Sequence, residues 1–313
     1  MGRNKIQFQK GMSLMAFLEM YGSEEQCRQA LFKWRWPEGF ICPECGYHNG
    51  CEIKSRHVYQ CYRCHHQTSL TAGTIYDSTR LPLKTWFLAM FILIQGKNGI
   101  STMELMRQLG ISYNATWRLR HKLMELMYVR NADKKLKGHI EMDDSYVGGE
   151  HSGGKRGRGA SGKTPFVAAV EKNLENRPVF LKLARVQTFS TQELKSFSIE
   201  NLTPGSHVVT DGLQCFSAVR HAGCTHDVKR VGSSKRAVHE PSFHWVNTIL
   251  GNLKNSLRGT FHAVSEKYVH RYLAEFQYRF NRRFDLSTLF VRLACVAARS
   301  LPRPERILLM AEL

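Results

Sequence analysis

Two Cys-x-x-Cys pairs constrain this chain more than any other feature. Cys42 and Cys45 form the first, Cys61 and Cys64 the second, and the fifteen residues 46–60 lie between them. Each pair offers two thiolates to one side of an ion, and two pairs close a tetrahedron, the geometry of a structural zinc site. Four thiolates leave no open position, so Zn²⁺ here is structural. The surrounding segment is Pro-, Gly- and aromatic-rich with little core of its own, and zinc contributes roughly 10–16 kcal/mol to folding such modules. No βαβ pattern flanks either pair, which argues against a redox role. Cys51, His48, His57, His65 and His66 are nearby alternative ligands; Cys27, Cys215, Cys224 and Cys295 are isolated and read as packing residues.

The charge balance narrows the partners. The 313 residues carry 45 Lys and Arg against 26 Asp and Glu, a formal net charge of +19. A field of that sign draws polyanions, nucleic acid first. The longest apolar run, Trp86 to Ile94, falls well short of the ~20 residues a spanning helix needs. No apolar signal core follows the basic N-terminus, so a cytoplasmic protein with reduced cysteines is expected, with no membrane partner.

Residues 12–36 read as helical, with Ser23 and Gln26 at capping-box spacing, and residues 82–95 read as a buried helix. From Ser101 to Arg130 two helices flank a short turn at Gly110–Ile111–Ser112, the layout of a helix-turn-helix. Its second helix carries Arg118, Arg120, His121 and Lys122; Arg118, Arg120 and Lys122 are the candidate contacts to DNA phosphates or guanine edges. The competing reading is a plain helical hairpin with a solvated basic face.

After a linker at 133–137 the pattern changes to strands. HIEMDDSYV, TPFVAAVE and RPVFLKLARV are followed by the helix TQELKSFSIENL, the strand SHVVTD and helices from about 242, an α/β order with a mixed sheet. The stretch from Gly157 to Thr164 fits the phosphate-loop pattern GxxxxGK[ST], but Pro165 and a strand-like run follow where a helix is required. It reads instead as a basic loop whose Lys155, Arg156 and Arg158 suit DNA phosphates. Asp143 and Asp144 lie near the end of the first strand, and Asp211 ends a later one just before Gly212. Strand-end aspartates point at the open edge of such a sheet, where two of them can share a pair of Mg²⁺ ions.

In this order, the cysteine pairs, the helical hairpin, IEMDDSYVGG, VVTDG and HWVNTILGNLKNSLRGTFHAVSEKYVHRYLAEFQYRFNRR resemble the DDE-type transposases of bacterial insertion sequences, in the group with an N-terminal zinc ribbon (group 1595). The resemblance covers roughly residues 12–290. It implies an α/β fold: an RNase H-like catalytic domain, a mixed sheet flanked by helices, preceded by a zinc ribbon and a helix-turn-helix. It makes Asp143 the first acidic position and Asp211 the second, with Asp144 close enough in sequence to compete for the first. The third position, usually Glu with a basic residue seven later, is Asn247 followed by Lys254. Seven residues are about two helical turns, so both side chains share a face. An amide oxygen is a neutral, weaker ligand, leaving part of the task to water or His244.

The resemblance further implies binding of terminal inverted repeats in double-stranded DNA, and Mg²⁺-dependent cleavage and strand transfer without a covalent protein intermediate. Two Mg²⁺ ions would be held by Asp143, Asp211 and Asn247, with Lys254 near the cut phosphate. A dimer or larger assembly on DNA in the bacterial nucleoid is expected. The domains expected are a helical segment 1–36, the ribbon 37–75, a helix-turn-helix region 76–132, the catalytic domain 133–295 and a tail 296–313. The alternatives are a zinc-ribbon DNA-binding regulator without activity and, through the phosphate-loop match, an ATPase.

Overall fold

The computed structural model describes residues 8–132, 134–148, 163–229 and 241–310. The chain divides into two compact units: residues up to 96 with 102–126 and 284–310, and residues 97–101 with 127–283.

The first unit opens with α1 (Leu14–Tyr21) and α2 (Glu24–Arg35). The helical stretch read at 12–36 is broken because Ser23 starts a new helix. Ser23 Oγ accepts from the Gln26 amide at 3.2 Å and Gln26 Oε1 accepts from the Ser23 amide at 2.9 Å, a complete capping box. The cysteine module is a three-stranded antiparallel sheet, β1 (Gly50–Ile53), β2 (Val58–Cys61) and β3 (Gln67–Ser69), in the order β1-β2-β3. Then come α3 (Leu83–Gln95), α4 (Thr102–Leu109) and α5 (Tyr113–Ala132). Eight of the thirteen residues of α3 are buried, as its apolar run requires.

Residues 284–310 differ from their expected place at the end of the catalytic domain and in a tail, since they cluster with the N-terminal helices. In α9 (Leu289–Arg299) the apolar residues Leu289, Phe290, Leu293, Ala294 and Ala297 recur at helical spacing and are buried. Phe290 packs its ring on Phe17, Tyr21 and Phe87, centroids 5.3, 5.0 and 5.8 Å away. The short α10 (Glu305–Leu309) follows.

The second unit is built on a five-stranded mixed sheet. Its strands are β4 (His139–Val147), β5 (Thr164–Lys172), β6 (Pro178–Arg185), β7 (His207–Thr210) and β8 (Thr225–Val228), in the order β6-β5-β4-β7-β8. β4, β5 and β6 pair antiparallel; β7 joins β4, and β8 joins β7, in parallel. In order of appearance that is 3-2-1-4-5, the RNase H-like arrangement. β5 reads as a continuous apolar run because both its faces are covered: Phe166 to Val170 are all fully buried.

One face of the sheet packs on α6 (Thr191–Asn201) and the 3₁₀ segment Gln214–Ala222, through Ile140, Met142, Val167, Val208, Leu194 and Phe216. The other packs on α7 (His244–Ser256) and α8 (Val269–Asn281), through Phe166, Ala168, Val170, Val246, Ile249 and Leu273. Strand alternation thus decides which helices each β4 side chain meets. Among the described residues no helix is long and apolar enough to cross a membrane.

Candidate active site and zinc centre

The four cysteine sulfurs of Cys42, Cys45, Cys61 and Cys64 all lie within 4.8 Å of one another. Cys42 and Cys64 are 3.6 Å apart, as are Cys45 and Cys61. Four thiolates about 2.3 Å from a tetrahedral zinc sit about 3.8 Å apart, so the cluster fits the ion. The two knuckles are built alike. Cys42 O accepts from the Gly46 amide at 2.9 Å, and Cys61 O from the His65 amide at 3.1 Å. Both turn residues are left-handed, Gly46 at φ +70° and His65 at φ +58°. The Arg63 amide also donates to Cys61 Sγ at 3.3 Å. Among the described residues no histidine, and not Cys51, joins the cluster.

The carboxylates meet where β7 ends beside β4: Asp211 directly follows β7, whereas Asp143 and Asp144 sit in the middle of β4 and not near its end, because β5 keeps pairing with β4 as far as Val147. The β4–β7 ladder pairs His139 with His207 and Glu141 with Val209, and the same offset carries Asp143 to the level of Asp211. Beyond the strand Asp211 Oδ1 accepts from the Leu213 amide at 3.1 Å, a tight turn that Gly212 permits at φ +94°. Asp143, Asp144 and Asp211 each place a carboxylate oxygen within 4.8 Å of the others. Both members of the Asp143–Asp144 pair therefore reach the cluster, and the Asp144 amide donates to Asp143 Oδ1 at 2.9 Å. Three hard oxygen donors so close fit a divalent cation.

Crowding marks Asp143 most. Burial, then the charges of Asp144 and Asp211, push its carboxyl up to about 7, opposed by the Asp144 amide and by the charge of Lys254. The unfolded value, 3.8, is lower, so the folded state binds this proton more tightly. Stability is then lost as the pH rises from about 4 to about 7 and stays low above. Without added divalent metal, and with zinc left in place, the melting temperature should be several degrees lower at pH 8 than at pH 5. Added Mg²⁺ should close most of that gap; thermal melts with and without it check both.

Asn247 and Lys254 both lie on α7, Asn247 half-buried and Lys254 exposed. The residue that ties this helix to β4 was not singled out from sequence. Glu141, fully buried, accepts through Oε2 from the amides of Trp245 and Val246 in the first turn of α7, both at 2.9 Å. Its Oε1 lies 3.1 Å from Lys172 Nζ of β5. Glu141 is two residues before Asp143 and on the same strand face, so one carboxylate anchors the helix start beside the metal-type cluster. The available signal was an acidic residue at a core-facing position of an apolar strand, which demands a partner.

The helical hairpin forms as expected: Gly110 ends α4, and Ser112 Oγ accepts from the Ala115 amide at 3.3 Å to start α5. Its predicted contacts need correction. Arg120 is 1 % exposed and donates to Thr102 Oγ1 at 3.1 Å. It occupies the buried stripe with Thr116, Leu123 and Met127, so it holds the hairpin together and cannot reach DNA. Lys122 is half-buried, donating to the Ile75 carbonyl at 3.2 Å with its ammonium 5.7 Å from the Trp86 ring centre. Arg118 is exposed, with Glu305 at 3.3 Å in a surface pair worth little. Arg120→Ala should lower the melting temperature, whereas Arg118→Ala should leave it unchanged; thermal melts of both variants check this.

Lys155, Arg156 and Arg158 lie outside the described residues. The phosphate-loop reading fails at its end: Thr164 begins strand β5, where a nucleotide site needs a helix N-terminus.

The second unit is thus an RNase H-like sheet with three clustered carboxylates, and the first unit carries a four-cysteine ribbon. Residues 135–281 match the ISXO2-like transposase domain, and residues 22–67 match the transposase zinc-ribbon domain of the same group. Together the two matches support a zinc-ribbon insertion-sequence transposase of the IS1595 group. It is 24 % identical over 216 residues to an uncharacterized protein in transposable element ISH50 of Halobacterium salinarum, covering 64 % of this chain and 71 % of that one. Among solved structures, the Mos1 strand transfer complex is 13 % identical with a TM-score of 0.24, covering 63 % of this chain and 76 % of that one. A pre-cleavage Mos1 transpososome is 11 % identical with a TM-score of 0.21, over 63 % and 77 %. At these TM-scores the fold assignment rests on the strand order instead.

Proposed function

We propose that the protein is an active transposase that binds the terminal inverted repeats of its insertion sequence and catalyses Mg²⁺-dependent strand cleavage and strand transfer. The observation that carries this reading is the convergence of Asp143, Asp144 and Asp211 where β7 ends beside β4. Asp143 and Asp211 are the proposed metal ligands, with Asn247 supplying a neutral oxygen and Asp144 a further carboxylate in the same cluster. Two divalent cations bound there would activate the attacking oxygen and stabilise the leaving one. The chain's own residues do the rest by positioning. Glu141 fixes the start of α7, α7 presents Asn247 and Lys254, and the Lys254 cation offsets part of the negative charge at Asp143 and suits a DNA phosphate.

The zinc ribbon and the exposed N-terminal part of α5, with Arg118, are the proposed DNA-end contacts, and the segment bearing Lys155, Arg156 and Arg158 a further one. The protein would act in the cytoplasm, at the nucleoid, as a dimer or larger assembly that holds two ends together. The neutral Asn247 gives one competing reading its support, a DNA-binding regulator without activity. Incubating the full chain with a duplex copied from the element's own end, in Mg²⁺, should give a nick at the end and joining of that end to a plasmid. Tight binding with no cleavage in Mg²⁺ or Mn²⁺ would favour the regulator. Light scattering with and without the duplex tests the assembly: one chain per end would contradict it.

A further inference from the structure

α7 carries a glycine that nothing among the described residues requires. Gly251 lies in the helix interior, where glycine is the poorest helix former after proline. Its φ is not in the left-handed region, and an added Cβ would meet nothing within 4 Å among the described residues. Neither backbone conformation nor packing among the described residues therefore requires the missing side chain. Its place on the helix is the clue. Asn247, Gly251 and Lys254 follow at i, i+4 and i+7, one line along the surface beside the buried face of Val246, Ile249, Leu250 and Leu253. Arg258, exposed and four residues past Lys254, extends the line just beyond the helix. A bare stretch of helix backbone is thus bracketed by a candidate metal ligand on one side and two exposed cations on the other.

We infer that the DNA strand to be cut runs along this line of α7, and that Gly251 lets its sugar-phosphate backbone approach the helix closely between Asn247 and Lys254. The two cations and the absent side chain suit the same occupant: a polyanion needs the first, and close approach of a second backbone needs the other. This rests on the proposed transposase reading and adds a surface to it. It makes Gly251 a positioning residue, which costs the helix stability for the sake of the substrate.

The test exploits that opposition. Gly251→Ala should raise the melting temperature by about 2 °C, as a better helix former at an open site. Gly251→Leu should fold equally well, yet cut the end-duplex cleavage rate by about 10-fold or more. It should also weaken binding of the same duplex, read by fluorescence anisotropy in Ca²⁺. Asn252→Leu, which adds similar bulk on another exposed side of α7, should cleave and bind as the intact protein does. Gly251→Leu cleaving and binding normally would overturn the inference and leave the transposase reading standing. Equal losses in Gly251→Leu and Asn252→Leu would also overturn it, since bulk anywhere on the helix would then suffice. An intact protein that neither binds nor cleaves the duplex would overturn the transposase reading and this inference with it.

Discussion

Stripping zinc from the protein should unfold the ribbon outright. The three strands β1 to β3 are only four, four and three residues long and gain little from their own packing. Both knuckles close around the four sulfurs, and His65 holds a left-handed conformation that a non-glycine residue adopts only under constraint. Metal binding of this kind supplies on the order of 10–16 kcal/mol, more than most whole domains have to spare. The intact protein should therefore carry one zinc per chain by elemental analysis. Cys42 and Cys61, each at most 1 % exposed, should resist thiol reagents until a chelator removes it, and then react together with Cys45 and Cys64. Cys61→Ser should do the same without a chelator. A protein that holds no zinc, or keeps its ribbon protected without it, would contradict the assignment.

Glu141→Ala should be the most damaging single substitution in the second unit away from the aspartates. It removes the acceptor for two α7 amides and strands Lys172, whose side chain is 15 % exposed. Breaking a buried pair from one side costs several kcal/mol; partial access of Lys172 to water puts this one near the lower end, about 3 kcal/mol. For a unit of this size that is about 6–12 °C in melting temperature. Glu141→Gln keeps an oxygen for the amides and should lose less stability. Glu175→Ala, in the exposed turn between β5 and β6, should lose none. Because the same carboxylate positions α7 beside Asp143, Glu141→Gln should also raise the Mg²⁺ concentration needed for half-maximal cleavage at a temperature where it is fully folded. An unchanged melting temperature in Glu141→Ala would show that the helix start does not depend on it.

The difference between what the sequence disclosed and what it withheld follows physical lines. β4, β5, β6 and α6 were legible because each carries its own periodicity and its own turn signals. β8, four residues with three polar positions, has no such signal; it is a strand only because β7 pairs with it. The placement of 284–310 was hidden for a related reason. The apolar spacing of α9 says that it packs, but not that Phe17, Tyr21 and Phe87 are what it packs on. Arg120 shares its helical spacing with Thr116, Leu123 and Met127, a buried stripe, so its position rather than its charge decides where it lies. At the site, Asp211 is legible as an aspartate at a strand end, whereas Asp143, expected near the end of its strand, lies in the middle of β4. Their meeting depends on the parallel β4–β7 register, a tertiary fact. Glu141 needed the same knowledge, because its partners are backbone amides that carry no mark in the sequence.

The central claim is that these carboxylates form a catalytic metal site, and the most direct test is cleavage and strand joining of the element's own end by Asp143→Asn and Asp211→Asn proteins in Mg²⁺. Each change keeps side-chain size and removes one charge. Asp143→Asn should also fold at least as stably without metal at pH 8, because it relieves a crowded carboxylate. Both variants should bind the end duplex like the intact protein, yet lose cleavage and joining by more than about two orders of magnitude. Cleavage that survives Asp211→Asn at the intact rate would contradict the account, and would place the chemistry elsewhere in the molecule.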